Sequence, residues 1–214
     1  MKKVLMAVGG VVALAVVGVV AGASMQPDVM KVERSVTVAA APADVFPYAN
    51  NFEKWATWNP WKDIDPNQKT ANSSPPEGKG AWTTWEGNDD VGKGKMTITE
   101  SVPPSKVVED LQFIEPFESR AVVTLTFTPE GEGTKVTWGF ESPNNFMAKV
   151  MYLFMDMDAM LGKDFEKGLN TLKPLAEADA KARVEAEKKA AEEAAAAAAT
   201  AAVDPNAPAA PAPQ

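Results

Sequence analysis

The apolar residues of this chain change their spacing once, near residue 145, and that change dictates most of what the chain can fold into. Val32, Arg34, Val36 and Val38 alternate with Glu33, Ser35 and Thr37, the pattern of a strand with one buried face. Ala41-Pro42-Ala43-Asp44 ends that strand and opens a short helix through Val45, Phe46, Tyr48 and Ala49, limited by Pro47. A second short helix from Phe52 to Trp55 leads into Trp58-Asn59-Pro60-Trp61. Then come short runs divided by turn residues: Lys69 to Ser73, Gly80 to Glu86, Lys93 to Val102, Lys106 to Ile114, Ser119 to Thr128 and Thr134 to Glu141. These read as an antiparallel meander with short connections. From Phe146 the period becomes three or four, through Val150, Leu153, Met157, Leu161, Phe165, Leu169 and Leu172, which predicts one long amphipathic helix. The sum is an α+β fold in which a curved antiparallel sheet of about seven strands wraps a long C-terminal helix, with two short helices after the first strand. One helix does not fill such a sheet, so a cavity is expected at its mouth.

The flanks have other compositions. Lys2 and Lys3 precede an uncharged run from Val4 to Ser24. About 20 apolar residues, rising roughly 1.5 Å each in a helix, cross a bilayer core of about 30 Å, so residues 1–25 read as a transmembrane helix. The lysines would stay cytoplasmic and place the rest outside, as a single-pass protein of the cytoplasmic membrane with a periplasmic domain. Ala21-Gly22-Ala23 also fits a signal-peptidase site, which would release a secreted or periplasmic product; the run is longer than a cleavable segment needs, which favours the anchor. At the other end, residues 176–214 are read as an Ala/Glu/Lys-rich helical extension without a core face, then an extended Ala/Pro tail after Val203. That leaves residues 30–175 as the domain.

The chain has no cysteine and no histidine, which removes disulfides, thiol nucleophiles, Cys/His metal sites and histidine acid–base catalysis. Its net charge of −8 argues against a nucleic acid partner, because phosphate recognition needs a basic face. No cofactor-binding motif and no metal loop is found: Gly92 and Gly94 around Lys93 open no helix, and the paired acids Asp63/Asp65, Asp89/Asp90 and Asp156/Asp158 lack a calcium-loop ladder.

Three segments carry a family resemblance: Val32-Glu33-Arg34-Ser35-Val36 followed by Ala41-Pro42-Ala43-Asp44-Val45-Phe46; Trp55 to Trp61 with Asp65-Pro66; and Gly162-Lys163-Asp164-Phe165-Glu166-Lys167-Gly168-Leu169 with Leu172-Lys173. Over residues 30 to 175 the chain resembles the START-like SRPBCC superfamily, in its polyketide cyclase/dehydrase-like branch. The resemblance implies a helix-grip fold and a hydrophobic cavity, and carries no catalytic motif with it.

Alternation assigns the cavity-lining residues. Trp82, Met96 and Ile98, Leu111 and Phe113, Phe127, Trp138 and Phe140 are expected on the concave face, with Met157 and Leu161 facing them from the helix. Trp58 and Trp61, three apart with Trp55 around Asn59-Pro60, either stack on a ligand beside the cavity mouth or cap the core. Methionines on that helix, Met151, Met155 and Met160 among them, would add adaptable surface, although core filling explains them as well. Glu100 and Glu109 fall in phase with the inward residues of their strands, and Arg34 and Arg120 are cations able to pair with them or with a ligand carboxylate. The leading expectation is binding of a small hydrophobic or lipid-like ligand. A cyclase- or dehydratase-like enzyme using Glu100 or Glu109 with Tyr152 or Arg120, and an envelope protein-interaction module, are the other two.

Overall fold

In the computed structural model residues 2–202 are described, with side chains described for residues 9–199; the Ala/Pro tail expected after Val203 lies outside the described residues. The element order is α1 (Lys2–Ser24), β1 (Val29–Val38), α2 (Pro42–Val45), α3 (Pro47–Asn50), α4 (Phe52–Trp58), β2 (Lys69–Asn72), β3 (Trp82–Glu86), β4 (Lys93–Val102), β5 (Lys106–Glu115), β6 (Ser119–Glu130), β7 (Gly133–Pro143), α5 (Phe146–Met151) and α6 (Met157–Ala202). The strands form one antiparallel sheet in the order β1-β7-β6-β5-β4-β3-β2. Six strands follow one another as hairpins and β1 closes the far edge beside β7, so the sheet curves around α6 as a helix grip.

Local chemistry explains the element ends. Asn51 caps α4, its side-chain oxygen accepting from the amides of Glu53 and Lys54 at 2.8 and 3.3 Å. Pro47, which cannot donate, splits the first expected short helix into α2 and α3. Gly131, at φ 60°, makes the tight turn from β6 to β7 that a side chain would resist. On the concave face the inward residues of β1, β7 and β6 meet α6: Val32, Val38, Val136, Trp138, Leu125 and Phe127 close on Phe165, Leu169 and Leu172. Trp138 stacks on Phe165 with centroids 4.0 Å apart and planes 3° apart, and Trp55, Trp58 and Trp61 meet its edges.

Two features depart from the expected helix. It is not continuous from Phe146: α5 ends at Met151, a turn comes next, and α6 begins at Met157, where the Asp156 side chain accepts from the Ala159 amide at 2.9 Å. Nor does packing stop at residue 175. Ala176 and Ala180 are buried, the Glu177 carboxylate accepts from the Ala39 amide at 2.8 Å, and Tyr48 donates to Asp179 at 2.8 Å. Burial, then the bond to Asp179, holds the Tyr48 phenol well above its ordinary range. Arg183 grips Asp44 through Nε and Nη2 at 2.7 and 3.1 Å.

The sheet register fixes directions. Val29, Pro143, Ser119, Glu115, Lys93, Glu86 and Lys69 all fall at one end of the sheet. Helix α6 runs parallel to β1 from that end: Asp158 and Glu166 pair with Arg34, while Lys173 donates to Thr37 O and Glu177 reaches Ala39. Among the described residues no helix is long and apolar enough to cross a membrane; of α1, side chains are described only for residues 9–24, about 24 Å of helix against a bilayer core of about 30 Å.

Candidate functional site

A cavity of about 260 Å³ lies between the β3–β6 part of the sheet and the first turns of α6. Its floor is Met96, Leu111, Phe113, Val123 and Phe140; α6 contributes Leu161 and Phe165; Phe52, Trp55, Trp61 and Trp138 form the aromatic end wall. Gln68, Thr70, Asn72 and Thr83 supply the polar groups on the β2–β3 side. Trp61 is held in place by donating to the Asp164 carboxylate at 3.2 Å. Buried Asp65 ties the loop after α4 to the β3–β4 loop, accepting from the Asn67 amide at 2.9 Å and the Asn88 amide at 2.8 Å.

The structure therefore gathers Trp61, Met96, Leu111, Phe113, Trp138, Phe140 and Leu161 of the expected lining around one space. The others are placed elsewhere. Trp58, Ile98 and Phe127 point inward but are fully packed; Trp58 donates to Tyr48 O at 2.9 Å under the aromatic wall. Trp82 faces outward, because it pairs with Thr97 on the convex face and lies under Lys95, 5.4 Å from the ring centre. Its strand presents Thr83 and Trp85 to the cavity instead. Trp85 covers Gly94, where any Cβ would collide with the indole, and donates to Val91 O at 3.3 Å. Met157 lines a second, more open recess with Tyr152, Leu153 and Asp156. Met151 and Met160 are exposed and line neither space, and the exposed Met155 borders the second recess.

The polar candidates separate sharply. Arg34 pairs with Asp158 and Glu166 across the β1–α6 seam, which holds the Asp158 carboxyl below its usual range. Arg120 lies on the convex face with Asp110, whose carboxyl the hydrogen bond from Arg120 and then that from Gln112 keep low. Glu100 is turned outward by a register shift between Ile98 and Glu100, and pairs with Lys106 at 2.8 Å. An inserted residue of this kind reverses the phase of the residues after it, so the alternation that pointed Glu100 inward fails at that place. Glu109 does point inward. It is 2% exposed, sits between Ile98 and Val123 across the sheet, and has no hydrogen-bond partner for Oε2 among the described residues. Burial pushes its carboxyl up to about 8, so at neutral pH it is mainly the uncharged acid. It adjoins the floor residues Leu111 and Val123 without lining the cavity itself. The indole N–H of Trp138 is likewise buried and unpaired among the described residues. Glu109, Tyr152 and Arg120 thus occupy the core, the second recess and the convex face.

Sequence reasoning missed Phe52, Asn59, Trp85, Val91, Val123 and Phe165 as lining. Val123 and Phe165 were readable from period alone, whereas Val91 sits in a loop and reaches the cavity only through the fold of the β3–β4 turn. Among the described residues no cluster of acidic, histidine or cysteine side chains is arranged to hold a metal ion.

The model of the polyketide cyclase/dehydrase and lipid transport family matches residues 29–177, from the first residue of β1 into α6. The chain belongs to that family. Solved structures share the SRPBCC fold at low identity. A protein from Chromobacterium violaceum is 15% identical with a TM-score of 0.51, the match covering 71% of this chain and 99% of that one. A putative uncharacterised protein from Rhizobium leguminosarum is 17% identical with a TM-score of 0.50, over 70% and 95%. The di-domain ARO/CYC StfQ of the steffimycin biosynthetic pathway is 16% identical with a TM-score of 0.50, and the match covers 73% of this chain and 52% of that one. No curated protein matches the chain. What ties this SRPBCC chain to its family is the match over residues 29–177, to which the solved structures add the shared fold.

Proposed function

We propose that this SRPBCC domain binds a small hydrophobic or lipid-like molecule in its cavity, at the outer face of a membrane in which α1 is anchored. The cavity carries the reading: its floor and end wall are aliphatic and aromatic, and its polar groups, Asn59, Gln68, Thr70, Asn72, Thr83 and Asp90, stand apart from that floor. Its volume is just below the range of about 300–1,000 Å³ usual for drug-sized ligands, which suits a single acyl chain or a compact ring system better than a two-chain lipid. For the location, the support is the sequence from Lys2 to Ser24, basic at its start and apolar thereafter. A proton-transferring enzyme gains nothing from the geometry, since the groups it would use are dispersed.

The test is native mass spectrometry and lipid extraction on the full chain, solubilised mildly from the cells that make it. A reproducible apolar molecule should accompany the protein and be lost in Leu111→Trp and Thr83→Trp, which fill the cavity from half-buried positions. An empty protein that also ignores a lipid panel would end the ligand-binding reading.

A further inference from the structure

Four of the most exposed large apolar residues of the domain gather at one end, whereas Ile64, Val102 and Val184 lie elsewhere. Phe117, between β5 and β6, is 82% exposed; on α5 Phe146 and Met147 are 54% and 66% exposed; Phe154, in the turn to α6, is 75% exposed. This is the end of the sheet that holds Val29, Pro143 and Glu115. The cavity reaches toward this end through the half-buried Val91, Phe113 and Leu161, while its exposed lining residues, Ala56, Thr70, Asn72 and Asp90, lie on the α4, β2 and β3–β4 side.

Helix α1 leaves from the same end. Only Met25 to Asp28 separate it from β1, and its last turn is packed against the domain rather than hanging from it. Ala23 is fully buried, the Leu153 side chain lies 3.2 Å from where a Cβ on Gly22 would stand, and Lys149 of α5 pairs with Asp28. The apolar patch is therefore held beside the point where the apolar run ends. If the run lies in a bilayer, the patch lies at its surface. Contiguous exposed apolar surface marks an interaction site, and a bilayer is the occupant that accounts for both the patch and the helix emerging beside it.

We propose that this end of the domain docks on the bilayer that α1 enters, seating Phe117, Phe146, Met147 and Phe154 at headgroup depth. The proposal rests on the anchoring stated above. The charges around the patch are mainly acidic, with Glu115, Glu118, Asp89, Asp90 and Asp156 all exposed. Docking is thus by apolar insertion into a surface of low charge, and anionic lipid weakens it rather than strengthening it.

The chain lacks cysteine, so single cysteines can carry a nitroxide without background. Phe117→Cys, Phe154→Cys, Val12→Cys in α1 and Ser105→Cys at the opposite end are labelled in the full chain, reconstituted in phosphatidylcholine vesicles. Collision with oxygen and with a water-soluble nickel chelate is then compared. The docking proposal expects the oxygen-to-nickel ratio at 117 and 154 to exceed that at 105 several-fold and to fall when phosphatidylglycerol is added. A lipid-embedded label at 12 with 117 and 154 as wet as 105 overturns the docking and leaves the anchor standing. Labels at 117 and 154 shielded from both reagents mean that protein, not lipid, covers the patch, and overturn it too. A wet label at 12 overturns the anchor, and the docking with it.

Discussion

Glu109 sits in the core with Ile98 and Val123 as cross-sheet neighbours and, among the described residues, an unpaired carboxyl oxygen. Its folded pKa of about 8 lies above the ordinary 4.5, because burial disfavours the charged form. Below about pH 4.5 the acid is neutral in both the folded and the unfolded chain, and Glu109 costs the fold nothing through its charge. Between there and about pH 8 the unfolded chain gives up the proton and the folded one does not, so stability falls as pH rises, by an amount on the order of a few kcal/mol. Melting curves at pH 5 and pH 8 should therefore differ more in the native chain than in Glu109→Gln, whose amide has no proton to lose. Equal shifts in the two proteins would mean that Glu109 is hydrated or paired. The inward placing of Glu109 was legible because β5 keeps its alternation unbroken to Phe113. That of Glu100 was not, because one extra residue in β4 leaves no mark in the pattern; nor was the choice between Trp82 and Trp85, since β3 carries an indole on each face.

Among the elements, α6 departs furthest from its reading. Its heptad-like face ends at Leu172, and the residues beyond it are mostly Ala, Glu and Lys, yet two further turns pack because small Ala176 and Ala180 let the helix lie close against the domain. Alanine recurs on every face of this segment and so marks no side as the buried one, which is why period alone stopped the domain early. Ending the chain after residue 185 should leave the melting temperature almost unchanged. Ending it after residue 175 removes both buried alanines, the Tyr48–Asp179 bond and the Arg183–Asp44 pair, and should lower it by at least about 4 °C. Equal melting temperatures would show those turns to be passengers. The break between α5 and α6 did have a signal, Asp156 three residues before Ala159, but the apolar spacing runs through it without a gap.

Across the whole molecule, the order of the strands follows from a meander of short turns, and the placing of β1 beside β7 from the need to cover the last strand, so the helix-grip architecture was readable at the level of period and punctuation. The cavity was readable only as a face, since which inward residues border empty space depends on how α6 and the loops fill the rest. Strand β2 is short, solvent-exposed and at the sheet edge, while β6 and β7 are long and central. Hydrogen exchange should be fastest in β2 and slowest in β6 and β7, and a bound ligand should slow it in β2 and β3, whose Thr70, Asn72 and Thr83 border the cavity. Protection gained in β1 instead, which contributes nothing to the cavity lining, would place the ligand elsewhere. Finally, α6 begins beside the cavity and, with 46 residues, carries its last turn about 69 Å along its axis to the opposite pole. Anything that grips its exposed turns up to residue 199 stands clear of the cavity, so the two poles can be occupied at once without competing for room.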